Sequence, residues 1–313
     1  MRTRPVNTRD GRTEGKAQRS GSREQRPGSR EQRPGSRDDS RRSMARSGRP
    51  ERPERPERSD RPKNSDPENQ LEGRNPVREA LRAGRAFERI LVASGERRGP
   101  LGQIVALAKE KGVRVEEVDR EMLEKRAVTG AHQGVVAYVA QRPYIEVPEM
   151  LAAAQSRNEA PLLLLCDGLQ DPHNLGSLLR STDAAGGHGV IIPSRRSVGL
   201  TATVAKTSAG AVEYVPVARI GNLVQEIEAL KAAGVWVVGA HMSGGKAPWE
   251  IDMTVPTAIV VGGEGEGLSR LVAEKCDYLA SIPMAGRINS LNASVAGALL
   301  LFEAARQRHL AQA

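Results

Sequence analysis

Aromatic residues are scarce in this 313-residue chain: two Trp, four Tyr and two Phe make up 3% of it. So few rings argue against the base-stacking platform that barrel and sheet proteins use on single-stranded RNA. Cysteine is scarcer still. Cys166 and Cys276 each lie in or beside an apolar run, which excludes a disulfide framework or a cysteine-based metal site and fits reduced core thiols in a cytoplasmic protein. There is no run of about 18 apolar residues to cross a membrane, and no apolar stretch near the N-terminus to act as a secretory signal. The Arg-rich, Ser-containing start has the composition of an organellar transit peptide, but its acidic residues and repeats speak against one. His132, His173, His188, His241 and His309 show no metal-ligand spacing. Neither a G-x-x-x-x-G-K-[ST] phosphate loop nor a G-x-S-x-G nucleophile elbow occurs.

What the chain has in excess is positive charge, unevenly placed. Of the formal net charge of +9, residues 1–70 carry +8, from 20 Lys and Arg against 12 Asp and Glu. This segment is built of Pro, Gly, Ser, Arg, Glu and Gln with almost no aliphatic and no aromatic side chains. It cannot bury enough apolar surface to offset the entropy of ordering, so a disordered tail is expected. Gly21-Ser22-Arg23-Glu24-Gln25-Arg26-Pro27 recurs at 28–34, and Glu-Arg-Pro at 51–53 recurs at 54–56. Such short periods without apolar positions are low-complexity sequence, not a solenoid. The tail is either a polyelectrolyte arm that raises non-specific affinity for RNA or a linker without a specific partner. The remaining 243 residues, near neutral at +1, suffice for one domain with a large core or for two of which one is small.

Order is expected from about Leu71. Asn75-Pro76 reads as a helix start, with Val77 and Leu81 on one face and Gly84 as the stop. Strands at 90–93, 113–118 and 134–140 with a helix at 104–111 make a small α/β unit over residues 71–143. Arg74, Arg78, Arg82 and Arg85 follow i, i+4, i+8, i+11 spacing and form a basic face, either a solvated helix surface or an RNA contact. Residues 144–160, with a helix near 148–155, link this unit to a larger one over 161–313. There, strands at 161–167, 190–193, 212–217, 235–240, 257–262 and 278–283 are interleaved with helices at 175–185, 201–209, 223–233, from 268, and at 291–307. Val, Ile and Leu runs separated by helices predict a parallel sheet covered on both faces. Ligands of such sheets bind beyond the carboxyl ends of the strands.

The polar and glycine-rich sequence falls at three of those junctions. At the first, Asp167-Gly168-Leu169-Gln170-Asp171-Pro172-His173-Asn174, residues Asp171 and Asn174 read as turn and cap. Arg180, in the apolar helix that follows, needs water, a carboxylate or a phosphate. At the second, Gly262-Gly263-Glu264-Gly265-Glu266-Gly267 follows a buried strand, and its backbone can approach a ligand closely. It imitates the glycine turn of a Rossmann-type methyltransferase but comes near the end of its sheet, where such a turn should follow the first strand. At the third, Ile282-Pro283-Met284 leads to Ser290-Leu291-Asn292 at the start of the last helix, whose apolar stripe is Leu291, Val295, Leu299 and Phe302. Each cap alone is bland; three such loops in one domain point to a shared site.

In this order the three junctions resemble the motifs of the SpoU, or TrmH, family of RNA ribose 2′-O-methyltransferases in the SPOUT superfamily. The resemblance rests on residues 171–176 with Arg180, on 262–267, and on 282–284 with 290–296, and it covers residues 161–308. Residues 72–81 resemble the start of the L30e-like RNA-binding domain of the family's RlmB-type branch. What the resemblance implies is an α/β fold in which the C-terminal part of the parallel sheet is tied into a trefoil knot, and a homodimer with its sites at the subunit interface. It implies S-adenosylmethionine as cofactor, contacted by Gly262, Ile282 and Leu291. It also implies a functional polar set of Asn174, Arg180, Glu264, Ser290 and Asn292, in which the counterpart of Arg180 is the proposed activator. A guanidinium with a pKa above roughly 12 is an awkward general base. Orienting the hydroxyl or an adjacent phosphate and stabilising developing alkoxide suits it better, with Glu264 and Asn174 holding the geometry. The implied function is methylation of a guanosine ribose in 23S rRNA, with a tRNA guanosine methyltransferase or a non-catalytic RNA-binding ribosome-assembly factor as alternatives.

Overall fold

The structure, a computed structural model, describes residues 69–95, 99–242, 244–265 and 267–312. The tail expected to be disordered, up to residue 68, and Glu266 of the second junction lie outside the described residues. The first strand, β1 (Gln70–Glu72), precedes α1 (Arg74–Arg82). The helix starts from Gly73, whose φ of 94° turns the chain, and not from Asn75. Asn75 lies inside the first turn, where its Oδ1 accepts from Arg78 Nη2. β2 (Phe87–Ala93), α2 (Pro100–Glu110), β3 (Val115–Val118), α3 (Arg120–Arg126) and β4 (Val135–Val139) complete this lobe. Its sheet runs β1-β4-β2-β3, with β2 parallel to β3 and antiparallel to β4.

In the segment 144–160, α4 (Val147–Ser156) places Val147 and Met150 in an apolar cluster of the larger sheet. That sheet is built from β5 (Leu162–Asp167), β6 (Gly189–Pro193), β7 (Val217–Ile220), β8 (Trp236–Ala240), β9 (Thr257–Gly262) and β10 (Tyr278–Ala280), in the order β10-β8-β9-β5-β6-β7 with every pairing parallel. The helices between and after them are α5 (Pro172–Ala184), α6 (Ala202–Thr207), α7 (Leu223–Ala232), α8 (Arg270–Lys275) and α9 (Ala293–Gln312). The strand expected at 212–217 is displaced: Ala211–Glu213 is a single 3-10 turn, and β7 begins only after Pro216, which has no N–H to give to a ladder.

β5 explains why the sheet is legible in the sequence. Leu162, Leu164 and Cys166 enter the cluster on one face, which continues into the small lobe, while Leu163 and Leu165 enter the cluster on the other. A strand buried on both faces reads as an unbroken apolar run, and each such leucine contributes about 1.5–3 kcal/mol over an exposed one. The sheet therefore gives rigid support to the loops at its carboxyl edge.

Candidate active site

β5 and β9 are neighbours, and their register sets Asp167 beside Gly262 at the carboxyl ends of both strands. The loops that leave them are stitched together. Gly263 N donates to Asp167 O at 2.9 Å, and Ser269 N donates to Asp167 Oδ2 at 2.7 Å. Within the glycine-rich loop, Gly267 N returns to Gly263 O at 3.2 Å. A Cβ on Gly262 would stand 2.0 Å from the carbonyl carbon of Gly267, so this residue is glycine because the loop crosses directly over it.

That fold-back presents Glu264 at the centre of the site. Its Oε1 accepts from Asn174 Nδ2 at 2.5 Å and from Asn292 Nδ2 at 3.2 Å. Asn174 reads in the sequence as the cap of α5, but Asp171 takes that place, its Oδ1 accepting from His173 N at 2.9 Å. Asn174 is thereby free to lie buried in the first turn and face Glu264. Asn292 does two things at once: its Oδ1 accepts from Ser294 N at 2.9 Å at the start of α9, while its amide reaches Glu264. Two amides on one oxygen leave Glu264 Oε2 without an acceptor contact among the described residues, available to a donor from a ligand.

A cavity of about 350 Å³ opens on one side of this cluster, at the low end of the range for small-molecule sites. The positions expected at a cofactor, Gly262, Ile282 and Leu291, line it together with Glu264, Ser290 and Asn292. His241 and Met242, just after β8, line it too, and no motif in the sequence marks them. On the other side of Glu264 a second hollow is lined by Asn174, Asp171 and Arg196. Arg196 likewise belongs to no motif. It has a left-handed φ of 56° and lies in the loop after β6, at the sheet edge where position alone could have flagged it. Beneath the site, burial pushes the Cys166 thiol up to about 12, which keeps it protonated and unreactive.

Arg180 stands apart. It is exposed on α5, whereas Asn174 points inward, and six residues separate them by about 9 Å along the helix axis. Among the described residues it makes no hydrogen bond or ion pair. The requirement stated for this guanidinium is therefore met by solvent in the single chain, and the described chain alone does not bring Arg180 to the Asn174–Glu264–Asn292 cluster.

The basic face of α1 needs correction. Arg82 is exposed and Arg78 half-exposed, both bonded to Glu79 at 3.1 Å; Arg74 Nε donates to Gln133 O at 3.0 Å. Arg85 does not belong to this face. It follows Gly84, whose φ of 75° ends the helical spacing, and its guanidinium is buried against Glu213 Oε1 at 2.7 Å. Little exposed and paired with Glu213, it is poorly placed to meet RNA phosphates.

Comparison with known proteins adds to this geometry. Residues 161–302 match the SpoU rRNA Methylase family, and residues 70–145 match the family described as RNA 2′-O ribose methyltransferase substrate binding. YacO of Bacillus subtilis, assigned to the TrmH family of tRNA/rRNA methyltransferases, is 47% identical over 237 residues, which cover 76% of this chain and 95% of YacO. The structure is similar to that of the SpoU methyltransferase AviRb from Streptomyces viridochromogenes in complex with AdoMet, with a TM-score of 0.65 and 28% identity over 77% of this chain and 90% of AviRb. It is also similar to an AdoMet-bound rRNA methyltransferase from Sinorhizobium meliloti, with a TM-score of 0.62 and 30% identity over 76% and 86% of the two chains.

Proposed function

The chain belongs to the SpoU/TrmH family of RNA methyltransferases, and from that premise we propose that it transfers a methyl group from S-adenosylmethionine to a ribose 2′-hydroxyl of RNA, with a guanosine of 23S rRNA as the target. The observation that carries this is the Asn174–Glu264–Asn292 cluster, whose Glu264 and Asn292 line a nucleoside-sized cavity. The match of residues 70–145 to a substrate-binding family supports RNA as the partner. We assign residues 71–143 to RNA binding and 161–313 to methyl transfer, with 144–160 between them and the family's trefoil knot in the C-terminal part. No described helix is long and apolar enough to cross a membrane, and we place the site of action in the cytoplasm, where RNA of this class is held.

The cavity fits the cofactor. Gly262 offers backbone, Ile282 and Leu291 offer apolar faces to an adenine, and the Glu264 carboxylate offers a negative charge to a sulfonium. When bound, S-adenosylmethionine supplies a methyl group carrying its own leaving group. The chain's part is alignment. Asn174 and Asn292 fix Glu264 through two hydrogen bonds, so its second oxygen can hold a donor in one orientation. Ser290, on the same wall, offers a hydroxyl. Arg180 orients the ribose hydroxyl or the adjacent phosphate and stabilises the alkoxide as it develops. Because Arg180 lies outside the cluster of its own chain, it serves the site of a second copy in a homodimer. Val295, Leu299 and Phe302, the outward stripe of α9, are each about half exposed in the single chain and provide an apolar face for that pairing.

Mass mapping of 2′-O-methyl groups in bulk RNA from a deletion strain tests the proposal. One missing mark on a 23S rRNA guanosine is the expected result. A missing tRNA mark would move the target to tRNA, and an unchanged map would overturn the enzyme reading.

A further inference from the structure

The two lobes of the described chain meet along a seam of buried charge that the site above does not use. Glu213, at the end of the 3-10 turn after α6, has a side chain only 1% exposed. It accepts from Arg85 Nη1 at 2.7 Å and from Arg142 Nη1 at 3.4 Å, and Arg142 also reaches the Glu213 carbonyl at 2.8 Å. Arg85 belongs to the small lobe and donates to Ala140 O as well; Arg142 sits on the segment that leaves it. Beside them, Tyr214 OH donates to Glu79 Oε2 at 2.9 Å. Gly210 approaches α1 so closely that a Cβ would stand 2.6 Å from Glu79 Cβ. A second anchor lies further along, where Lys206 Nζ on α6 donates to Thr129 Oγ1 at 2.9 Å, and that hydroxyl donates in turn to the buried Glu72.

α6 carries this seam to the site. Thr207 Oγ1, which donates to Thr203 O of its own helix at 2.8 Å, lies 3.3 Å from Pro172 O and fills the notch at Gly176, where a Cβ would lie 1.8 Å away from it. Gly176 is on α5 between Asn174 and Arg180. An ion triad around a buried carboxylate adds little stability over an apolar contact, but sliding it strands Glu213 away from both water and its cations, so it tolerates one register. We propose that Glu213 is a positioning residue: through Arg85 and Arg142 it fixes the RNA-holding lobe in one register against α5 and α6, so that RNA held by one lobe meets the site of the other at a fixed offset. This rests on the function proposed above.

Spin labels at Glu124→Cys and Gln225→Cys, both exposed, read the distance between the lobes in the full chain diluted with unlabelled protein. One narrow distance is expected, broadened by Glu213→Gln. At saturating RNA, Glu213→Gln should lower kcat at least tenfold, with S-adenosylmethionine affinity and KM for RNA kept within about threefold; a merely structural defect would lower cofactor affinity and melting temperature together. Lys206→Met breaks the second anchor without touching the triad; it should broaden the same distance and lower kcat about threefold, and it decides the matter if Glu213→Gln does not fold. A distance that stays narrow, or one that broadens with kcat unchanged, would overturn the proposal. Were the unmodified chain to methylate no RNA, the function proposed above would fall, and the distances would still decide whether Glu213 locks the lobes.

Discussion

Arg180 makes no hydrogen bond or ion pair among the described residues, so removing its guanidinium should leave the fold alone. We expect Arg180→Ala to change stability by no more than about 0.5 kcal/mol, as for other surface substitutions, and to abolish methyl transfer. Arg180 is absent from the wall of the cavity that we assign to the cofactor, so affinity for S-adenosylmethionine should stay within a few-fold. Calorimetric titration and tritium transfer measure the two effects, and retained turnover would remove Arg180 from its role. Gly262→Ala should behave in the opposite way. Its new methyl group would sit 2.0 Å from Gly267 backbone and force the loop to move, so calorimetry should show cofactor affinity reduced more than tenfold. Asn292 explains why single residues are ambiguous in the sequence. A cap and a site amide look identical in one dimension, and here one side chain both caps α9 and reaches Glu264. The contacts that gather the cluster span 90 and 28 residues, and no local pattern encodes a separation of that kind.

Strands and helices are legible to the extent that their own side chains decide their burial. β5 and β9 are buried throughout or nearly so and read as strands directly. β1 is Gln-Leu-Glu, and its polar ends are buried against partners far along the chain: Gln70 donates to Arg126 O, and Glu72 accepts from the Val128 and Thr129 amides. α3 buries Leu123 alone and leaves too little periodicity to see. The stripe Val295, Leu299, Phe302 is visible as one face of α9, but periodicity does not say what covers a face; here Leu300, Leu301 and Ala304 take the core instead. The far end of α9 is tied by Arg308, which donates to the carbonyls of Ala160, Pro161, Met253 and Val255. Burial pushes this guanidinium down to about 10. Arg308→Ala should cost roughly 1.5–3 kcal/mol by orphaning those acceptors, read as a lower denaturant midpoint. His188 supports the same end of the sheet. Its Nδ1 accepts from Leu162 N at 3.1 Å and its Nε2 faces Glu159 at 2.9 Å. Burial lowers its pKa, with the Glu159 hydrogen bond only partly opposing. The unfolded chain therefore binds this proton more readily than the folded one, so stability is full above the unfolded value of about 6.5 and falls as pH drops below it. Melting temperatures between pH 7.5 and 5.5 should fall for the unmodified chain and fall less for His188→Gln.

The proposed dimer and the basic tail are each open to test. Mixing Arg180→Ala with Asn292→Ala should restore some transfer through hybrid dimers that hold one intact composite site, and a monomer by light scattering at micromolar concentration would exclude that arrangement. The tail poses a separate electrostatic question. It holds +8 of the +9 net charge, with almost no apolar side chain to dock, so any affinity it adds should come from neutralising phosphates. A truncation that tests this must end at Glu68, because Gln70 is buried in β1, pairs with Tyr138 and bonds to Glu72. Removing residues 1–68 should leave cofactor binding and the chemical step unchanged. For every phosphate that the tail neutralises, its removal should flatten the plot of log affinity against log salt by roughly 0.7–0.9. Discrimination between target and non-target RNA should persist, since we assign base and ribose recognition to the folded lobes and phosphate neutralisation carries no sequence information of its own. Binding of full-length and truncated chains to one RNA across a salt series separates the two roles. A reduced slope with preserved discrimination makes the tail an electrostatic arm, whereas equal slopes make it a solvated leader.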